Sequence, residues 1–255
     1  MNINQAFEIL EKSGGVRAAR ILTNKHKKMS WVRVIYYAHL LKRGMPVAKI
    51  IHSKWFYGLE FYTNKHTLDP RPDTETLVEA VIKDCDTNKN RTILDMGTGT
   101  GCIICALCKN ISGTTGVAID KSRRALRVAK RNIKKLNLEN QITLKHADFT
   151  NFKSDKKFDI IVSNPPYIKY GDMRVNDAAK FDPEIALYAK NDGLAAYEEI
   201  AKNAKNLLKR DGKIYLEIGV GQSNPVIKIF EFYKWKFERI EKDLSGINRV
   251  LIFTL

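Results

Sequence analysis

Residues 93–101 read Ile-Leu-Asp-Met-Gly-Thr-Gly-Thr-Gly, a short apolar run that passes straight into three alternating glycines and then into the apolar segment 102–108. A glycine-rich turn between a strand and a helix lets a ligand approach the backbone closely, and it belongs at the edge of a parallel sheet. The chain beyond residue 90 repeats that alternation. Strand patterns fall near 92–96, 115–119, 142–145, 158–163, 213–218 and 248–254, with helical stretches between most of them. Such an order predicts an α/β fold with helices on both faces of the sheet. The glycine spacing, G-x-G-x-G, has Cys102 where a dinucleotide fingerprint needs its last Gly or Ala, and it lacks the G-K-[S/T] ending of a phosphate-binding loop.

Each of the next three strands also ends on polar residues. Asp120 closes the second, where a carboxylate can accept from both hydroxyls of a ribose. Asp148 and Phe149 follow the third, an acceptor for an amino group beside an apolar wall. Asn164-Pro165-Pro166-Tyr167 follow the fourth. An amide side chain, two residues without N–H donors and an aromatic ring can hold a planar NH2 group by its hydrogens and press on its face. In α/β sheets, ligands bind outside the carboxyl ends of the strands, and here four successive ends carry suitable groups.

The 255 residues carry a formal charge of +16. Residues 1–69 hold twelve Lys or Arg against four Asp or Glu, a net +8, so a negatively charged protein or RNA would meet that part first. In segment 121–135 eight of fifteen residues are basic, yet Ala125, Val128, Ala129 and Ile133 recur at helical spacing, the pattern of an outer helix packed on a sheet. Cys102, Cys105 and Cys108 resemble part of an iron–sulfur ligand set, but they lie in an apolar helix-like run with no fourth ligand behind them and read as core residues. No metal site is expected. No run reaches the ~18 apolar residues of a membrane span, and residues 1–8 lack the features of a secretion signal, so a cytoplasmic protein is expected. The organisation reads as a helical domain over residues 1–51, broken at Gly14-Gly15, then a hairpin or connector over 52–69, then the α/β domain over 70–255. Asp73 or Thr74 is the expected cap of the helix that starts behind Pro70-Arg71-Pro72.

With these residues in place, the chain resembles the class I S-adenosylmethionine-dependent methyltransferases, and among them the glutamine N5-methyltransferases of peptide chain release factors. The resemblance runs from about Gly44 to Leu255. It rests on Asp95 to Gly101, Asp120, Asp148-Phe149 and Asn164 to Tyr167, and on Pro70-Arg71-Pro72-Asp73-Thr74-Glu75. Phe181 to Leu187 with Asp192-Gly193-Leu194, Leu216-Glu217-Ile218-Gly219 with Gln222, and Asp243 to Val250 add to it. The segment before Pro70 is shorter than is usual in that family. What the resemblance implies is a Rossmann-like, mostly parallel seven-stranded sheet with an antiparallel C-terminal hairpin, and a small N-terminal helical domain that grips the release factor. It implies S-adenosyl-L-methionine as cofactor, held by Gly97, Thr98, Gly99, Thr100, Gly101, Asp120, Asp148, Phe149 and Asn164. Asn164, Pro165 and Tyr167 become the catalytic group, and Pro166, Pro70, Arg71 and Glu217 join them around the substrate glutamine. The expected partners are class-1 release factors, met by a monomer that holds no stable nucleic acid and no membrane.

Three other readings share some of these features. Adenine N6-methyltransferases of nucleic acid carry the same Asn-Pro-Pro-Tyr and would use the basic charge, but the chain has no large target-recognition domain. Enzymes that methylate a ribosomal-protein glutamine are close relatives, less well matched at residues 70–75. A docking module that keeps the fold without the chemistry is a third reading, disfavoured by the intact glycine loop, Asp120 and Asn164.

Overall fold

The computed structural model of the protein describes residues 2–85, 89–172 and 177–255. Three helices come first: α1 (Ile3–Lys25), α2 (Trp31–Lys42) and α3 (Val47–Ile51). Their core is Leu10, Ala19, Leu22, Val34, Ala38 and Ile50. Gly15 takes left-handed, non-helical dihedrals (φ 82°, ψ 167°), so the glycine pair bends α1 into two segments rather than ending it. Gly14 allows α1 and α2 to approach, since a Cβ there would lie 2.8 Å from Leu41 Cδ2.

The expected hairpin is β1 (Lys54–Phe56) against β2 (Leu59–Phe61), antiparallel across Tyr57-Gly58. Both turn residues have positive φ, the conformation that matches the twist of the flanking strands. Phe56 and Phe61 insert into the core of the α/β domain, which fixes the connector to it.

A short 3-10 turn (Pro72–Thr74) leads into α4 (Glu75–Asp84), followed by β3 (Thr92–Met96), α5 (Cys102–Asn110), β4 (Thr115–Asp120), α6 (Arg123–Lys135), β5 (Ile142–His146) and β6 (Phe158–Ser163). A two-residue pair, β7 (Ile168–Lys169) and β8 (Tyr188–Ala189), precedes α7 (Lys190–Gly193), α8 (Ala195–Asn203), β9 (Leu208–Glu217), α9 (Ser223–Phe232), β10 (Lys236–Lys242) and β11 (Asn248–Thr254). The main sheet runs β10-β11-β9-β6-β3-β4-β5. Pairings among β9, β6, β3, β4 and β5 are parallel, and β11 runs antiparallel to both its neighbours. The fold is thus a Rossmann-like seven-stranded sheet with an antiparallel C-terminal hairpin.

Strand alternation builds the two faces. Ile160, Val162, Tyr215, Val250 and Ile252 pack with α4 and α5 on one side, while Ile161, Ile214, Leu216, Leu251 and Phe253 pack with α8 and α9 on the other. Cys102, Cys105 and Cys108 belong to the first of these cores, and burial pushes the Cys102 and Cys108 thiols up to about 12, so they behave as small hydrophobes. Strand order reverses at β3, whose neighbours are β4 and β6, and the carboxyl ends of these strands open a crevice. Among the described residues no helix is long and apolar enough to cross a membrane.

Candidate functional site

The glycine turn is shaped by positive φ at Gly97 (78°) and Gly99 (55°). A Cβ on Gly97 would meet no atom within 4 Å, so the turn presents bare backbone to open space, the surface a ligand needs for close approach. The loop is held from below. Asp95, fully buried, accepts from Thr98 Oγ1 at 2.6 Å through Oδ2, while its Oδ1 has no partner. Burial pushes the Asp95 carboxyl up to about 7. Asp120 holds the loop from the side, accepting from Gly99 N at 2.9 Å and Ser122 N at 2.8 Å. Burial raises its pKa while those two N–H donors pull it back. Asn132 ties the loop to the connector: Nδ2 donates to Thr100 O and Tyr62 O, both at 2.9 Å, and Oδ1 accepts from Tyr62 N at 2.7 Å.

Two cavities adjoin at the crevice. The first is walled by Gly97, Thr98, Gly99, Thr100, Asp120, Asp148, Phe149, Pro70, Pro165 and Pro166. The second is walled by Tyr167, Glu217, Gly219, Gln222 and the 168–169 strand. Asn164, Arg71, Leu68 and Ala186 line both, so Asn164 stands at their junction. Gly101 is the one expected cofactor residue outside the first wall. It caps the N-terminus of α5 with a left-handed φ of 79°, the conformation that favours glycine there.

Asn164 Nδ2 donates to Thr74 Oγ1 at 3.1 Å. Thr74 sits at the N-cap of α4, but its side chain makes no capping hydrogen bond, and the Asp73 carboxylate pairs with Arg249 at 3.1 Å. The expectation of a simple cap is corrected on this point, because the Thr74 hydroxyl instead accepts from Asn164 Nδ2. Glu217, 1% exposed at the end of β9, has an unpartnered Oε2 and an Oε1 that accepts from the Tyr167 hydroxyl at 3.4 Å. Desolvation pushes its carboxyl up to about 7 against the pull of Thr74, Arg249 and Tyr167. The Tyr167 backbone is pinned in turn: its carbonyl accepts from Gln222 Nε2 at 3.0 Å. A Cβ on Gly193 would fall 2.2 Å from that carbonyl oxygen.

Arg71 is half-exposed and donates to Asp182 Oδ2 at 2.7 Å. Asp182 also pairs with Lys49 at 2.8 Å, and Lys49 pairs with Asp69 at 2.9 Å. The 182–187 segment and the 69–71 segment are therefore fastened to each other and to α3 by a buried lysine. Thr74, Asn132, Asp95 and Lys49 have no site role that the sequence alone announces. Asn132 alone left a signal there, a polar residue amid the apolar stripe of α6. Among the described residues no three His, Cys, Asp or Glu side chains converge on a point that could hold a metal.

The sheet order, the glycine-rich exit of β3 and the cavity beside it define a methyltransferase domain, and the family model described as methyltransferase small domain matches residues 68–181. Solved structures agree on the fold. A methyltransferase from Pyrococcus furiosus superposes with TM-score 0.57 at 17% identity, covering 91% of this chain and 98% of that one. The ribosomal protein L11 methylase from Lactobacillus delbrueckii subsp. bulgaricus gives 0.54 at 19%, covering 73% and 80%. The release factor glutamine methyltransferase of Enterococcus faecalis is 39% identical over 210 residues, 81% of this chain and 75% of the relative. That of Flavobacterium psychrophilum is 34% identical over 258 residues, 98% and 88% of the two chains. The chain belongs to the release factor glutamine methyltransferase family. It also matches the bifunctional methyltransferase of Rickettsia prowazekii, 39% identical over 254 residues, and spans about half the length of that relative (49%).

Proposed function

We propose that this protein transfers a methyl group from S-adenosyl-L-methionine to the side-chain amide nitrogen N5 of the glutamine in the Gly-Gly-Gln motif of class-1 peptide chain release factors. The carrying observation is Asn164: it stands where the two cavities meet, with Nδ2 engaged by Thr74 and Oδ1 left for a donor. The first cavity suits the cofactor. Its open glycine backbone, the Asp120 carboxylate with lone pairs to spare beyond its two amide donors, and Asp148 beside Phe149 match a nucleoside with hydroxyls, an amino group and a flat apolar face. When bound, S-adenosylmethionine supplies an electrophilic methyl group on a sulfonium.

The second cavity takes the glutamine. An amide nitrogen is a weak nucleophile because its lone pair is delocalised into the carbonyl. Asn164 Oδ1 and the Pro165 carbonyl accept the two amide hydrogens, and these bonds strengthen as the nitrogen becomes pyramidal and positive, which favours the transition state over the ground state. Tyr167 walls the amide, Pro165 and Pro166 exclude water, and Glu217 with Arg71 shapes the entrance for the backbone of a glycine-rich loop. The nitrogen becomes acidic only after alkylation, so its proton passes to solvent without a strong base. We propose further that the protein acts on release factors in the cytoplasm, as a monomer.

The test is incubation with methyl-labelled S-adenosylmethionine and a bacterial class-1 release factor, beside the factor with its Gly-Gly-Gln glutamine changed to alanine, with adenine-containing nucleic acid in parallel. Label on the intact factor alone is expected; label on nucleic acid would overturn the choice of acceptor. Asn164→Ala should abolish labelling and leave calorimetric cofactor affinity nearly unchanged.

A further inference from the structure

Gln222 immediately precedes α9, where a polar side chain ordinarily caps a helix, yet it makes no capping hydrogen bond. Both ends of its amide go instead to main-chain groups at two strand exits. Oε1 accepts from Gly219 N at 3.0 Å, behind β9, and Nε2 donates to the Tyr167 carbonyl at 3.0 Å, behind β6. One partner only donates and the other only accepts, so the amide fits in a single orientation. The Tyr197 hydroxyl adds a brace from α8, donating to the Glu217 carbonyl at 3.0 Å and lying 3.5 Å from Gln222 Oε1.

Tyr167 is thereby held at both ends. Its carbonyl meets Gln222, and its hydroxyl meets Glu217 Oε1 at 3.4 Å. Between those anchors the ring lies against glycine: a Cβ on Gly219 would fall 2.9 Å from Tyr167 Cδ2 and 2.8 Å from Gln222 Oε1, and one on Gly193 would fall 2.9 Å from Gln222 Nε2. Two glycines admit the ring and the amide side by side, where any side chain would push them apart. Tyr167 and Gln222 both line the second cavity, with Asn164 ahead of Tyr167 on the same exit of β6. We propose that Gln222 is a positioning residue for methyl transfer: by fixing the Tyr167 main chain it sets where the tyrosine ring presses on the acceptor amide, an assignment that rests on the proposed glutamine chemistry. The acceptor nitrogen must lie in line with methyl and sulfur, and a wall displaced by about 1 Å can cost roughly a hundredfold in rate. The release factor's other contacts are untouched by such a shift, so the loss belongs in kcat rather than KM.

The test compares the whole wild-type chain with Gln222→Met and Gln222→Glu at pH 8. Methionine keeps the length and removes both hydrogen bonds. Ionised glutamate keeps an acceptor for Gly219 N and sets its other oxygen against the Tyr167 carbonyl. Both variants should lose roughly tenfold to a hundredfold in kcat, with KM for the release factor and for S-adenosylmethionine within about threefold and melting within about 4 °C of wild type. A glutamate variant with wild-type kcat would show that Gln222 serves only the 219–222 turn, and it overturns the proposal. A loss confined to KM overturns it as well, and so does a larger drop in melting shared by both variants. The ring resonances of Tyr167 give a readout that needs no turnover. In protein with carbon-13-labelled tyrosine, assigned by their loss in Tyr167→Leu, they should shift in both variants while those of Tyr36 on α2 stay in place. Tyr167 resonances that match wild type in both variants overturn the proposal even if no release factor is methylated. Shifted resonances alongside a wild type that labels no glutamine overturn the substrate reading and leave Gln222 as the support of Tyr167.

Discussion

Lys49→Met isolates a buried charge cluster built on one lysine and two aspartates. Lys49 Nζ lies 2.9 Å from Asp69 Oδ1 and 2.8 Å from Asp182 Oδ1, and the three side chains are only 4%, 7% and 2% exposed. It also donates to the carbonyls of Asn64 (2.8 Å) and Thr67 (2.5 Å). Methionine nearly keeps the volume and removes the charge, leaving two buried carboxylates. Asp69 retains the Thr63 hydroxyl at 2.5 Å and Asp182 retains Arg71 at 2.7 Å, so neither is stripped bare. Removing one partner of a buried ion pair costs about 3–5 kcal/mol, and a domain of this size loses about 2–4 °C in Tm per kcal/mol, so the variant should melt roughly 6–20 °C lower. Its pH dependence is more diagnostic. Burial already raises the Asp182 pKa, against the hydrogen bond and charge of Lys49. Without the lysine it rises further. A carboxyl whose folded pKa is raised penalises the native state above that pKa and is relieved below it. The deficit, measured by urea unfolding, should therefore be largest at pH 8 and shrink toward pH 5. A deficit that is equal at both pH values, or below about 1 kcal/mol at pH 8, would refute the charge argument.

Asp120→Ala should weaken S-adenosylmethionine binding by about 1–3 kcal/mol in calorimetry, because it removes an acceptor for the ribose and frees the N–H groups of Gly99 and Ser122. Glu217→Gln should raise stability at pH 8 by as much as about 3 kcal/mol and change it little at pH 4. The native carboxyl titrates at about 7, so its penalty is absent below the unfolded pKa and complete only above the folded one; equal effects at the two pH values would remove that explanation. Gly193→Ala should cost more than about 2 kcal/mol and lower turnover together with it, since φ is +88° and the new Cβ would strike the Tyr167 carbonyl. Wild-type stability in that variant would show that the 188–194 loop yields freely.

What was legible in the sequence was whatever one strand or one turn can announce alone. The runs at 92–96 and 158–163 are apolar, β-branched and followed at once by turn residues, and they are strands β3 and β6. The family resemblance drawn from residues 70–75, 95–101 and 164–167 agrees with the family its relatives define. Residues 236–242, Lys-Phe-Glu-Arg-Ile-Glu-Lys, gave no such signal, because β10 is an edge strand that keeps charges on its open face, and only the resemblance supplied the antiparallel hairpin. β9 begins at Leu208, five residues before the expected start, where Lys209, Arg210 and Asp211 mask an exposed stretch of strand. The bonds that organise the site were illegible for a different reason. Thr74 reads locally as a cap, and its hydroxyl instead meets Asn164, ninety residues on. Lys49 carries no local sign of its burial, because one of its two carboxylate partners, Asp182, comes from the far side of the α/β domain's sequence.

Asn132 carries a consequence for which substitutions this sequence can tolerate. Its side chain reads as a plug with one acceptor and two donors, each matched to a fixed main-chain group: the N–H and C=O of Tyr62 and the C=O of Thr100. Aspartate fits the shape but turns two of those contacts into repulsions, leucine strands all three groups, and glutamine reaches too far for a site with no exposed surface. In a saturation library the permitted alphabet at position 132 should therefore collapse to asparagine, even though it lies in a helix whose outward positions accept almost any soluble residue. Such a position, restrictive without touching either ligand, would be scored as catalytic by a functional screen and would turn out on purification to be a hinge pin between connector and loop.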